Sequence, residues 1–168
     1  GTRLFGWEAK LAPGWKTYWR SPGEAGLPVR IFTGETEVEP LYPLPERFEL
    51  FGLETYGYGK HVILPFYVEA TPSSKLVIKT DFMVCKDICI PFTGTHILPS
   101  SALKSPVSSH DVRLEAWLQR VPSRDVSKND GLEIKKLRLM GVKGRQNLIL
   151  DIKAASDLST ADVMIEAG

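Results

Sequence analysis

Proline and glycine recur along nearly the whole of this 168-residue chain, 12 and 14 of them, and the stretches between them are short and rich in β-branched and aromatic residues. That spacing leaves little room for long helices and predicts an all-β sandwich or barrel. Leu4 to Leu11 alternates loosely, with Phe5, Trp7 and Ala9 on one face. Trp15 to Trp19 follows as an aromatic strand, then Ser21 to Pro28 as a loop of residues that fix or free φ. Val29 to Phe32 is a short strand, and the prolines of Pro40 to Pro45 suit an edge or extended segment. Arg47 to Gly52, Tyr58 to Val68, Lys75 to Val84 and Ile90 to Leu98 complete a set of about seven or eight strands before Leu103, with a turn over 71–74. This is the strand density of an immunoglobulin-like β-sandwich.

The expected division is a sandwich over 1–103, a polar linker over 104–111 and a separate segment over 112–168. In that last segment Asp111 can cap a short helix, Val112 to Val121, whose Leu114, Trp117, Leu118 and Val121 share one face, and Pro122 ends it. Leu132 to Met140 and Asn147 to Ala154 then read as a hairpin around Gly141 to Gly144. Two strands are too few for an independent sheet. The tail therefore reads as the start of a second β domain cut off at Gly168, unless it packs on the first.

Composition excludes several functions. With 43% hydrophobic and 24% charged residues the chain is globular rather than disordered. A net charge of +1 leaves no basic excess for nucleic acid. No apolar run approaches the roughly 18 residues of a membrane span, so a soluble segment is expected. It opens at Gly1-Thr2-Arg3 with no leader, as a processed or trimmed chain would.

The chemistry is concentrated in Met83-Val84-Cys85-Lys86-Asp87-Ile88-Cys89-Ile90-Pro91, which holds the two cysteines of the chain. On one extended strand Cys85 and Cys89 would lie about 13 Å apart, beyond any disulfide. A hairpin with Lys86-Asp87-Ile88 at its tip sets them opposite each other, with Cα atoms about 4.5 Å apart in a non-hydrogen-bonded pair. So small a loop stabilises by only roughly 2 kcal/mol, which favours a labile, redox-active pair over a structural bridge. Lys86 would favour a thiolate and Asp87 oppose it.

Two other readings remain open here. Cys85 and Cys89, with Met83, His61 and His96, are ligands soft enough for Cu(I), which would make a copper-binding module for metal tolerance. Alternatively Trp15, Tyr18 and Trp19 could form an aromatic platform for a ligand.

Five segments in order, Trp15 to Trp19, Pro22 to Pro28, Pro45 to Phe48, Tyr56-Gly57-Tyr58 and Val84 to Pro91, resemble the N-terminal periplasmic domain of the DsbD and ScsB family of bacterial membrane thiol:disulfide reductases. The resemblance covers about residues 4–100, and the three-residue gap between the cysteines and the Trp-rich start are closer to ScsB. It implies a periplasmic, immunoglobulin-like domain of an inner-membrane protein, working with no cofactor and no metal. Electrons would arrive through a thioredoxin-like domain of the same protein and leave to soluble thioredoxin-fold or peroxiredoxin-like partners. Cys85 and Cys89 match the family's redox pair, and Glu54, Tyr56, Tyr58 and Tyr18 are candidates to line the site with Lys86 and Asp87. One departure stands out. The family's shielding phenylalanine precedes a Tyr-Gly pair, where this chain has Glu54-Thr55. Tyr58 and Phe51 are then the candidates to cover the sulfurs, and Glu54 could assist proton transfer.

Overall fold

The computed structural model describes residues 1–69, 75–101, 103, 112–123 and 131–166. The turn expected over 71–74, the linker over 104–111 and the cap at Asp111 lie outside the described residues. The chain forms two compact units, Gly1–Pro122 and Ser123–Gly168.

The first unit is an immunoglobulin-like β-sandwich with one short helix. Its elements are β1 (Thr2–Lys10), β2 (Lys16–Gly23), β3 (Arg30–Thr33), β4 (Thr36–Val38), β5 (Glu46–Leu50), β6 (Leu53–Gly59), β7 (His61–Glu69), β8 (Leu76–Cys85), β9 (Cys89–Leu98) and α1 (Val112–Leu118). Strands β1 and β7 pair as the smaller sheet. The larger runs β4-β3-β8-β2-β6-β5, with β9 also on β8. Strands β3 and β2 pair with successive stretches of β8, so both share one of its edges while β9 takes the other.

Alternation decides what each face of the smaller sheet meets. Trp7 lies opposite Leu64 and Phe5 opposite Phe66, and these pairs face the larger sheet, where the Trp7 ring meets Phe82 edge-on at 5.1 Å. The intervening pairs, Gly6 with Pro65, Glu8 with Ile63 and Lys10 with His61, face the other way. Helix α1 lies there: Arg113 pairs with Glu8 at 3.4 Å and Trp117 meets His61 edge-on at 5.5 Å. Cover on both faces explains why Val62 to Phe66 is an unbroken buried run. Gly6 makes the approach possible, since a Cβ there would sit 2.7 Å from Ile63 and 2.9 Å from Leu114.

The helix thus belongs to the sandwich, and the compact unit extends to Pro122 instead of ending near residue 103. It is also shorter than the expected Val112 to Val121. Arg120 and Val121 donate to carbonyls three residues back, which closes the last turn in 3₁₀ fashion. The expected single strand Tyr58 to Val68 is two strands: Lys60 takes a left-handed φ of 59° and carries the chain from the larger sheet to the smaller. Two buried tyrosines hold the proline-rich segment between β4 and β5. The Tyr42 hydroxyl donates to the Val29 carbonyl at 2.5 Å and the Tyr58 hydroxyl to the Pro43 carbonyl at 2.8 Å.

The second unit contains β10 (Leu132–Val142) and β11 (Arg145–Ala154), an antiparallel ribbon with a bulge between Ile134 and Lys136. Apolar pairs run along it, Ile134 with Ile152, Leu137 with Leu150 and Leu139 with Leu148. Leu137 and Leu139 are exposed.

Replacing Gly6 with alanine is expected to cost about 1–3 kcal/mol in urea unfolding, because the new methyl must push Ile63 or Leu114 aside in a closed contact. A loss under about 0.5 kcal/mol, the level of an ordinary surface change, would show that α1 does not depend on that close approach.

Candidate redox site

The pairing of β8 with β9 runs without a register shift from Leu76 opposite Leu98 to Cys85 opposite Cys89. The cysteines are therefore its last pair, and Lys86-Asp87-Ile88 closes the tip with the Lys86 amide donating to the Ile88 carbonyl at 3.1 Å. The two sulfurs are bonded, with Cα atoms 4.1 Å apart. This is the hairpin geometry that the spacing required.

The same alternation sets the face. Phe82 points to the smaller sheet, where it meets Trp7, so Met83 and Cys85 point to the outer face of the larger one. There Tyr18, Leu50 and Cys85 form a small buried cluster with Met83 packed against it. The Tyr18 hydroxyl lies 3.9 Å from the Cys89 sulfur. Burial pushes the Tyr18 phenol above its ordinary range, so it keeps its proton at neutral pH and can donate. The two cysteines differ sharply in exposure: Cys85 is 0% exposed and Cys89 is exposed.

Two loops cover Tyr18 and Cys85. The segment after β2 lies flat on the Tyr18 ring, where a Cβ on Gly26 would come within 2.3 Å of it and where φ is +98°. It is tied to β6 by paired bonds, Glu24 amide to Glu54 carbonyl at 2.9 Å and Glu54 amide to Glu24 carboxylate at 2.6 Å. The β5–β6 hairpin supplies Leu50 from one strand end and turns through Phe51 and Gly52, both at positive φ.

Not every candidate residue joins the cluster. Tyr18 contacts Cys89, and Lys86 and Asp87 are exposed at the tip, the Lys86 stem running beside Gly14. Tyr18 is the register partner of Gly57, so alternation along β6 puts Glu54, Tyr56 and Tyr58 on the opposite face. Glu54 pairs there with Arg47 and accepts from the Tyr56 hydroxyl, while the Tyr58 hydroxyl is taken by Pro43. Neither aromatic candidate is the cover of the buried sulfur. Tyr58 faces away, Phe51 is 67% exposed, and the packed side chain is the aliphatic Leu50. Met83 could have been found from its place two residues before Cys85 on a strand. Leu50 and Gly26 carry no such local signal.

The copper reading keeps its sulfurs together, with Met83 packed against Cys85 on the face that carries the cysteine pair, but not its histidines, and among the described residues no three His, Cys, Asp or Glu side chains come together as a metal site. His61 pairs with Glu8 at 2.9 Å on the smaller sheet, and His96, opposite Ile78, is on the face of β9 away from Cys85 and Met83. Of the aromatic platform, Tyr18 and Trp19 are buried, at 1% and 3% exposure, and only Trp15 is half-buried.

A sandwich that carries a two-cysteine hairpin with one sulfur open to approach is a thiol:disulfide exchange type of domain. Residues 1–101 match the family model for the N-terminal part of the thiol:disulfide interchange protein DsbD, and the chain belongs to that family. Among solved structures it is similar in fold to the N-terminal periplasmic domain of ScsB from Proteus mirabilis, at 22% identity and a TM-score of 0.66, over 94% of this chain and 79% of that one. No curated protein matches the chain. No helix among the described residues is long and apolar enough to cross a membrane.

Replacing Tyr18 with phenylalanine is expected to raise the pKa of the reduced Cys89 thiol by up to about one unit, since a donated hydrogen bond favours the thiolate. The pH dependence of iodoacetamide alkylation reads this directly. An unmoved profile would remove Tyr18 from the chemistry.

Proposed function

We propose that this chain is a periplasmic thiol:disulfide exchange domain that relays electrons from a membrane reductase to soluble thioredoxin-fold or peroxidase partners, acting as a protein-disulfide reductase. The observation that carries this reading is the asymmetry of the pair. Cys89 is exposed at a hairpin tip, while Cys85 is sealed under Leu50 and Tyr18.

In the reduced protein the Cys89 thiolate attacks one sulfur of a partner disulfide, and the partner's other sulfur leaves as a thiolate and takes up a proton. The Tyr18 hydroxyl, already within reach of Cys89, donates to the attacking thiolate and holds it in place. Cys85 then loses its proton and attacks the Cys89 sulfur, and the partner's second sulfur departs as a thiolate. Two electrons have passed to the partner, the proton lost by Cys85 balances the one taken up by the partner's first thiolate, and the Cys85–Cys89 bond has formed. Being fixed opposite Cys89, Cys85 resolves the mixed disulfide intramolecularly, which favours release over a long-lived adduct. Recharging runs the same steps backwards from the thioredoxin-like domain of the membrane reductase.

The proposal predicts unequal trapping. A Cys85→Ser chain keeps the exposed nucleophile without its resolving partner and is expected to accumulate a mixed disulfide with its redox partners in periplasmic extract. A Cys89→Ser chain, left with the buried sulfur, is expected to trap at least about tenfold less, the ratio that 1.4 kcal/mol of access cost produces. Equal trapping by both variants, or by neither, would contradict the assignment.

A further inference from the structure

The β5–β6 turn uses a residue that its backbone disfavours. Phe51 has φ +54° and Gly52 φ +78°, and Leu50 lies opposite Leu53, which defines a two-residue hairpin loop with both central residues left-handed. Such loops favour Asn-Gly, because a bulky residue at positive φ is strained. The phenylalanine gains no burial in return, since its ring is 67% exposed. Yet its neighbour Leu50 is packed against Cys85, so the turn that carries the ring adjoins the buried sulfur's cover. Across the cluster Ile88, 61% exposed, adjoins Cys89 at the tip of the other hairpin. Strain combined with an exposed aromatic beside reactive atoms is the pattern of a functional contact.

We infer that Phe51 and Ile88 are the docking contacts for the redox partner, a protein whose reactive cysteine is set in an apolar rim. This rests on the exchange reading above and adds to it what selects the partner. A protein that brings a sulfur against Cys89 must pass over both hairpin tips, whereas a small disulfide reaches Cys89 without covering them. Exposed aromatics that become buried on association carry a large share of binding energy. Phe51 is thus a specificity contact and not a shield.

The test uses the reduced 168-residue chain against two oxidants, oxidised thioredoxin as a protein disulfide with apolar surroundings and oxidised glutathione as a small one. Phe51→Asn restores the residue that the turn prefers while removing the ring. The ratio of the thioredoxin rate to the glutathione rate is expected to fall about tenfold, with a thermal midpoint equal to or above that of the parent. Ile88→Ser is expected to lower the same ratio by a smaller factor. An unchanged ratio overturns the inference, as does a lowered midpoint with both rates reduced together, which would make Phe51 structural. A parental dimer in sedimentation that Phe51→Asn dissolves would assign the patch to a second copy and overturn it too. If the parent reacts with neither oxidant, the exchange reading itself fails.

Discussion

The unbroken antiparallel register between β8 and β9 is the constraint on which the rest depends. Ten residue pairs run in step from Leu76 and Leu98 to Cys85 and Cys89. A slip by one residue would turn Cys85 to the other face and break the opposition with Cys89. Burial fixes that register. Ile78, Thr80 and Phe82 must face the smaller sheet, and this forces Met83 and Cys85 outward. Core packing on one side of the strand thereby decides where the sulfurs stand on the other.

On the outer face the structure builds a second, much smaller apolar cluster, and chain elements distant in sequence meet there. Tyr18 comes from β2, Leu50 from β5, and Met83 and Cys85 from β8. Glycine is what lets the cover come close, with Gly26 lying on the Tyr18 ring. The result is unequal solvation of two bonded sulfurs. Cys85 is enclosed by apolar and aromatic groups, where charge is costly, while Cys89 meets solvent and one phenolic donor. The chemical division between nucleophile and resolving thiol follows from this difference in burial.

Much of this was legible in the sequence, and the exceptions have a common cause. The sandwich, the strand pair flanking the cysteines, the three-residue tip and the paired sulfurs all follow from local pattern and reach. The β6–β7 break is not legible in the sequence, because a left-handed Lys60 has no compositional mark. Nor is the place of helix α1, whose docking onto the smaller sheet depends on Gly6, more than a hundred residues away in the chain. Glu54, Tyr56 and Tyr58 looked close to the site in linear order, but the two-residue period of β6 sets them on the far face. Leu50 could be found only once β5, β2 and β8 were placed side by side. Local pattern identified the reactive atoms, whereas their surroundings are a property of the assembled sheet.

The central claim is that the Cys85–Cys89 bond is made and broken in use. Equilibration of the chain across a series of glutathione redox buffers, with thiols counted after acid quenching, tests it most directly. The account predicts that two thiols appear together at a single midpoint within the range those buffers span. A bond that stays intact at the most reducing end of the series would contradict it and leave the pair as a structural bridge.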